Sequence, residues 1–383
     1  MTEHYQPLNS LKGGHWFKLI CGASFQDLPA VRNLTLAYTL AGADCIDVAA
    51  DPATIAAAQE ALQVASKIQA QTSNPKFSAK GLPWLMVSLN DGEDPHFRKA
   101  EFNPAECPAD CWRPCEKICP AEAIIFQGAG EGVSGVIDQR CYGCGRCLPV
   151  CPSQLIYTRS YVSAPAAIAP LILQSGVDAI EIHTQVGREP DFARLWSSIA
   201  PWVTQLKLIA ISCPDGEGLI DYLRTLYQII SPLPCPLIWQ TDGRPMSGDI
   251  GTGATRAAIK LGQKVLAARL PGYVQLAGGT NAHTVSKLRA SGLMKEHRKN
   301  LSIPDAPHIA GIAYGSYARV LLSPILEQLE TMQIDRALAI PATIPPPPAS
   351  AQIPGLTQLE AFPELLWQAV SLAHSLVSPL KEY

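Results

Sequence analysis

Eight of the twelve cysteines lie in two runs of four, and their spacing constrains the fold of this chain more than any other feature. The second run, Cys141-x2-Cys144-x2-Cys147-x3-Cys151-Pro152, has the spacing of bacterial ferredoxins, in which three thiolates hold one cubane and the fourth reaches a neighbouring cluster. The first run, Cys107-x3-Cys111-x3-Cys115-x3-Cys119-Pro120, is a looser version. Together the runs predict a module that binds two 4Fe–4S clusters.

Crossover of the fourth ligand assigns the cysteines to the two clusters. The predicted ligand sets are Cys141, Cys144, Cys147 and Cys119 for one cluster, and Cys107, Cys111, Cys115 and Cys151 for the other. The first run has one extra residue in each of its first two gaps, so Cys107 could lie out of reach and leave a 3Fe–4S or labile cluster. Zinc favours two Cys-x2-Cys pairs and disulfides favour an oxidising compartment, so both are weaker interpretations.

The composition is that of a large, ordered protein. Of 383 residues, 47% are hydrophobic and 16% charged, which is enough apolar material for a sizeable core. The net charge of −3, without a basic run, gives no indication of nucleic-acid binding. The sequence starts without a charged region followed by an apolar stretch, and it contains no apolar segment of membrane-spanning length. We therefore expect a cytoplasmic protein with no membrane span.

Continuous apolar runs of strand length alternate with amphipathic runs of helix length, such as residues 52–70 and 217–230. The predicted strands are Phe17–Cys21, Cys45–Ala49, Trp84–Leu89, Ala179–Ile182, Leu206–Ser212, Leu237–Gln240, Tyr273–Ala277 and Ile309–Ala313. Eight strands with intervening helices favour an α/β fold of the (β/α)8 TIM-like barrel class. An open doubly wound sheet is the alternative, but the sequence has no Gly-x-Gly-x-x-Gly unit between a strand and a helix.

This pattern predicts three parts. Residues 15–91 and 161–332 would form the barrel, and residues 92–160 would form a ferredoxin-like domain inserted after strand three, at the end of the barrel that carries chemistry. Residues 333–383 would form a proline-rich linker, at 341–354, and a C-terminal helix. That helix could pack back on the barrel or could dock a partner.

The ends of strands seven and eight carry glycine-rich loops that are typical of a phosphate-binding cup in such barrels. The candidate residues are Gly278, Gly279, Thr280, Gly315 and Ser316, and FMN is a possible ligand. The alternative is that the glycines only shape tight turns.

Other polar residues are predicted at the same rim: Ser24, Asp51, Asn90, His183, Gln240, Asp242 and Arg244. They form no recognisable catalytic set, so the catalytic residues stay unknown. His183 is the best single candidate for binding or acid–base work, although a histidine at a strand end is more often structural.

Several segments resemble the LdpA family, the light-dependent period proteins of cyanobacteria. Besides the cysteine runs, they are residues 41–49 (AGADCIDVA), 243–249 (GRPMSGD) and 274–284 (VQLAGGTNAHT). The resemblance implies an iron–sulfur redox sensor that passes light and metabolic state to the circadian clock and associates with clock proteins. It transfers the eight cysteine ligands and no catalytic residue.

Two functions therefore compete. In one, the clusters report redox poise, with a quinone or another oxidant as redox partner, and a protein partner recognises the change. In the other, the barrel is a flavin-dependent oxidoreductase to which the clusters supply electrons, an arrangement found in dihydroorotate- and dihydropyrimidine-type enzymes that this chain resembles only at the level of fold.

Overall fold

A computed structural model describes residues 7–71, 81–126, 135–160, 174–244, 253–295, 307–338 and 358–381. The strands, in chain order, are β1 Trp16–Ile20, β2 Cys45–Ala49, β3 Trp84–Asn90, β4 Arg98–Glu101, β5 Ile124–Ile125, β6 Gly135–Val136, β7 Tyr157–Ser160, β8 Ala179–His183, β9 Leu208–Pro214, β10 Leu237–Asp242, β11 Tyr273–Ala277 and β12 Gly311–Tyr314. The helices are α1 Pro7–Gly13, α2 Leu28–Ala41, α3 Pro52–Gln71, α4 Pro114–Ile118, α5 Cys147–Val150, α6 Glu189–Ile199, α7 Leu219–Ile230, α8 Ala254–Ala267, α9 Thr284–Ala290, α10 Ser316–Leu338 and α11 Pro363–Lys381. Short 3-10 helices cover Pro95–Phe97, Pro104–Glu106, Ala200–Gln205 and Leu359–Ala361.

Eight parallel strands close a barrel in the order β1, β2, β3, β8, β9, β10, β11, β12 and back to β1. Closure through the β1–β12 pair confirms the predicted barrel and shows that the alternative, an open sheet, is wrong. The strands are buried along almost their whole length, because helices cover the outside and side chains fill the inside. Strand β9 begins two residues later than predicted, since Leu206 ends the preceding 3-10 helix.

The cysteine-rich segment lies between β3 and β8, which are neighbours in the barrel and pair from Met86 with Ala179 to Asn90 with His183. This confirms the predicted insertion after strand three. At the base of the insertion, β4 and β7 pair antiparallel, with Arg98 opposite Ser160. The domain bounds at residues 92 and 160 stay a prediction.

Helix α2 shows why the sequence forms the barrel's outer elements where it does. Asp27 caps its start by accepting a hydrogen bond from the Ala30 amide at 3.1 Å, with a proline in the first turn. Gly42, in the left-handed conformation (φ 98°), ends it.

Helix α11 packs against α2 and α10. Its buried face consists of Leu365, Leu366, Ala369, Val370, Ala373, Leu376, Val377 and Leu380. Arg32 of α2 also binds Glu360, just before the helix, at 2.5 and 2.9 Å, and Lys381 at its end forms a buried ion pair with Asp44. The helix therefore packs on its own barrel, and the alternative of a docking helix is wrong because its apolar face is covered. The predicted proline-rich linker at 341–354 lies outside the described residues.

Candidate functional site

The loop of the second cysteine run is shaped by two glycines. Gly143 and Gly145 both have φ of 72°, a left-handed conformation that side chains disfavour, and they separate Cys141, Cys144 and the start of α5 at Cys147. Such a loop turns three thiols toward one point.

Those three thiols and Cys119 line a single cavity. The rest of its lining is mostly apolar and glycine backbone, including Ala100, Ala123 and Ile124. Two backbone amides donate hydrogen bonds to the sulfurs: Ala100 to Cys141 at 3.3 Å, and Ala123 to Cys119 at 3.2 Å. Four convergent thiols, an apolar wall and amide donors to sulfur are the features that a cubane cluster needs.

The thiols of this set also affect each other. The pKa of Cys147 is raised to about 12. Burial is the largest cause, and the nearby thiols of Cys144, Cys141 and Cys119 add to the rise. Because bound iron requires thiolates, binding of a cluster by this set would release protons.

The remaining four cysteines of the two runs form a second group. The pKa of Cys107 is raised above its usual value. Removal from solvent is the largest cause, and the thiols of Cys111 and Cys151 add to it. Removal from solvent also raises the pKa of Cys115, with Cys151 and Cys107 adding to the effect. These effects agree with the second predicted ligand set, and the assignment of the eight cysteines to two clusters stays a prediction. The second group is the more exposed, since only Cys115 of its four members is buried.

Both runs end in the same local structure despite their different spacing. Cys119 and Cys151 have nearly identical backbone angles, with φ/ψ of −71°/110° and −72°/111°. Three residues later, Glu122 and Gln154 are both left-handed, and each amide donates to the carbonyl of its cysteine at 3.2 Å. The loosened first run therefore presents its fourth cysteine as the regular run does.

The predicted phosphate residues meet in a cleft at the barrel mouth, which has about 600 Å³ of space, part of it open to solvent. The cleft lining includes all five predicted residues and four of the predicted rim residues: Gly278, Gly279, Thr280, Gly315 and Ser316, with His183, Gln240, Asp242 and Arg244. The other rim residues are engaged locally. Ser24 donates to the His96 carbonyl at 3.0 Å, Asn90 donates to the Gly92 carbonyl at 2.6 Å, and Asp51 caps α3.

Two of the cleft glycines are required by the chain path itself. Gly278 and Gly279 have φ of 60° and 93°. An added Cβ would lie 2.7 Å from the Arg244 amide nitrogen at Gly278 and 2.9 Å from the Ala254 carbonyl at Gly279. Their presence is therefore explained without a ligand, and the phosphate cup stays a prediction.

Tyr142 connects the cysteine loop to the cleft. It follows Cys141, lines the cleft, and lies under the guanidinium of Arg319, whose carbon is 4.1 Å from the ring centroid. Arg319 donates to the carbonyls of Ile20 and Cys21 at 3.0 Å and to the Ser316 hydroxyl at 3.0 Å. One side chain therefore contacts the cysteine loop and three points of the barrel mouth.

Beneath the cleft, the barrel interior contains a buried ionic network. Lys18 forms an ion pair with Glu181 and lies 3.4 Å from Asp47, and the His183 ring nitrogen Nε2 is 2.9 Å from Glu181. The Lys18 charge and the His183 hydrogen bond hold the pKa of Glu181 below its usual range, even though burial opposes this. His183 therefore has a structural bond in addition to its place in the cleft.

Two protein families match this chain. The LdpA Fe-S cluster-binding domain matches residues 107–162, and the Light dependent period A C-terminal domain matches residues 171–379. The protein Light dependent period A of Synechococcus elongatus is 47% identical over 376 residues, which cover 98% of this chain and 94% of that protein. This chain belongs to the LdpA family.

The iron–sulfur match of the LdpA chain spans both cysteine runs, so the chain contains an iron–sulfur cluster-binding domain. An uncharacterized ferredoxin of Methanocaldococcus jannaschii is 28% identical over 90 residues, which cover 24% of this chain and 58% of that protein. In the described ranges, no helix of this LdpA family member combines the length and apolarity needed to cross a bilayer.

Among the polar and aromatic side chains that line the cleft of this LdpA family member, sequence reasoning missed His96, Tyr142 and Arg319. Tyr142 could have been identified from the sequence, because it lies between two candidate cluster ligands, Cys141 and Cys144. Arg319 lies one helical turn after Gly315, a position that faces the loop of the predicted cup.

Proposed function

We propose that this chain is an iron–sulfur redox sensor that relays redox state to the circadian clock through interaction with clock proteins. The cavity lined by Cys119, Cys141, Cys144 and Cys147 is the observation that carries this proposal. These four thiols would hold one 4Fe–4S cluster, and Cys107, Cys111, Cys115 and Cys151 would hold the other, with a 3Fe–4S cluster as the alternative in the second set. Such clusters supply one-electron redox chemistry.

The contact between Tyr142 and Arg319 supplies the proposed relay. Any shift of the loop at Cys141 would move Tyr142, and Arg319 would then lose or change its bonds to Ile20, Cys21 and Ser316. A protein partner at the barrel mouth would recognise that change. The more exposed second set is the proposed point of access for an oxidant such as a quinone.

The metal content tests the ligand sets. We expect about eight irons and eight sulfides per chain after anaerobic reconstitution. Cys144→Ser should remove about half of the iron, and Cys107→Ser should remove less because Cys107 lies at the loosened spacing and is the predicted ligand least able to reach its cluster. Cys235→Ser, which changes a half-buried cysteine outside both runs, is the matched control and should retain all the iron. Bound zinc without sulfide would refute the ligand assignment.

The relay is tested by the affinity of oxidised and reduced protein for clock proteins, with cluster absorbance followed in the same samples. We expect a coupling of about 1 to 3 kcal/mol, the usual range for linked sites. Arg319→Gln should reduce the coupling while the clusters remain, since the guanidinium contacts no cysteine thiol in the bonds described above. Equal affinity in both redox states would refute the sensor proposal.

A flavin-dependent oxidoreductase is the second candidate, and the position of Tyr142 favours it. A ligand in the cleft would contact both the glycine loops and the residue that follows Cys141. FMN binding, seen as flavin absorbance or a thermal shift, tests this candidate. Gly315→Leu is the suitable variant because a Cβ at Gly315 meets only ordinary contacts, the nearest at 3.7 Å, so the barrel should fold while the added side chain obstructs the cleft. Without FMN binding by the unmodified protein, the glycines only shape turns.

A further inference from the structure

Three side chains with metal-binding chemistry converge where the insertion leaves the barrel. One ligand atom each from Asp94, His96 and His183 lies within 4.8 Å of the other two. The Asp94 oxygen Oδ1 is 2.8 Å from His96 Nδ1 and 3.8 Å from His183 Nδ1. Around an ion with bonds of about 2.1 Å, neighbouring ligand atoms lie about 3.0 to 3.4 Å apart, so small adjustments of these side chains would complete the site.

The surroundings of the three residues are those of metal ligands. Asp94 and His183 are buried, and His96 is partly buried. The other ring nitrogen of His183, Nε2, is 2.9 Å from the carboxylate of Glu181. Glu181 in turn forms an ion pair with Lys18. A metal-bound histidine usually donates its other ring N–H to such a carboxylate, because this sets the tautomer and the ring orientation. His96 has a more distant counterpart, Asp242, 3.9 Å from its Nε2.

We propose that Asp94, His96 and His183 bind a divalent first-row transition metal ion that is separate from the iron–sulfur clusters. Two imidazoles and one carboxylate suit Fe²⁺ or Zn²⁺ and leave coordination positions for water or a ligand. His96 and His183 line the cleft at the barrel mouth, so those open positions are accessible from it.

The position of the site gives it a structural consequence. Asp94 and His96 lie in the segment that enters the insertion, immediately before β4, whereas His183 ends β8, the barrel strand that follows the insertion. One ion would therefore join the two sides of the insertion at the barrel mouth. The competing interpretation is that no metal binds, and that protonated His96 and His183 form ion pairs with the Asp94 carboxylate.

Zinc is the probe for the test, because iron bound here would be masked by cluster iron. Anaerobically purified protein with intact clusters is titrated with Zn²⁺ against a fluorescent chelator. We expect one Zn²⁺ per chain beyond the clusters, with unchanged iron and sulfide. His96→Gln and His183→Gln should each weaken binding at least tenfold, while His283→Gln, at an exposed histidine, is the matched control and should bind as the unmodified protein does.

X-ray absorption at the zinc edge keeps the proposal testable if a variant folds poorly. The unmodified protein should show only nitrogen and oxygen neighbours at about 2.0 to 2.2 Å, whereas zinc on a cysteine would show sulfur at about 2.3 Å. Sulfur ligation, equal affinity in the histidine variants and the His283 control, or no zinc binding would each overturn the proposal. The measured iron and sulfide contents separate this outcome from a failure of the cluster assignment.

Discussion

The barrel and the inserted segment are held together in different ways. The barrel's strands are each paired on both sides, and its helices cover a continuous apolar core. In its described residues, the insertion has α-helices of five and four residues and strands of two to four, and three of the eight members of its small buried cluster are cysteines. Apolar burial accounts for the first region, whereas the described residues of the second bury little apolar surface, so we expect this region to depend on bound metal for its fold.

Removing the iron should therefore unfold the insertion and leave the barrel folded, and this is the largest effect that we expect. Chelation should abolish hydrogen-exchange protection of backbone amides in residues 98–126 and 135–160, because we expect the metal to organise that segment. Amides of β1, β2 and β9 should keep their protection. If the barrel strands exchange as fast as the insertion after iron loss, the difference between the two regions is not one of metal dependence.

Loss of the buried Lys18 charge inside the barrel should have the next largest effect, on the free energy of unfolding. Lys18→Met would leave Glu181 and Asp47 buried without their cation, so we expect the free energy of unfolding to fall by about 3 to 5 kcal/mol in urea titrations. The matched control is Lys207→Met, which removes an exposed partner of Asp178 and should cost about 0 to 1 kcal/mol. Similar losses in the two variants would show that the Lys18 ion pairs are not needed for barrel stability.

The barrel should also respond to mild acid through Asp44, in the opposite sense to most carboxylates. Burial raises the pKa of Asp44 to about 6, although Lys381 opposes the rise. The folded state therefore holds this proton more tightly than the unfolded state, and the contribution to stability is full below about pH 4 and lost as the pH rises through 6.

Asp44→Asn removes this titration. We expect the change in unfolding free energy between pH 4 and pH 7 to differ between the unmodified protein and the variant by about 2 to 3 kcal/mol. The comparison isolates Asp44 from Asp47 and Asp91, whose pKa values burial also raises to about 6. Parallel pH profiles would show that Asp44 is ionised equally in both states.

The smallest effect concerns a contact between the two regions. Asp27 caps α2 of the barrel and lies 3.5 Å from Arg140 of the insertion. Asp27→Ala should cost about 1 kcal/mol of barrel stability, and Asp27→Ser should recover most of it by restoring the cap without the charge. Equal losses in both variants would assign the effect to the Arg140 pair instead.

The barrel was predictable because its determinants are local. Buried parallel strands are continuous apolar runs, and such runs identified all eight barrel strands to within a few residues. The insertion was predictable because cluster ligands obey a spacing rule. Helix α11 was ambiguous, since its apolar stripe predicts a buried face and does not specify which surface covers it.

The ionic network and the proposed three-residue metal site were not predictable in the same way. Lys18 and Glu181 each lie within an apolar strand, and their pairing across the barrel depends on closure over 163 positions. Asp94 and His96 follow no motif, and they meet His183 only because the insertion begins and ends at adjacent strands. Single-sequence patterns report local periodicity, so contacts between distant segments need the fold.

The antiparallel pair at the base of the insertion affects how the molecule could have been assembled. Strands β4 and β7 bring the two ends of the segment to about 5 Å from each other, the distance between paired residues. Excising everything beyond this pair would require only a tight turn to rejoin the chain, and neighbouring β3 and β8 would keep their register. The chain therefore leaves and re-enters the barrel at one place between neighbouring strands, so a recombination event there could add or remove the iron–sulfur segment without rearranging the barrel's own topology.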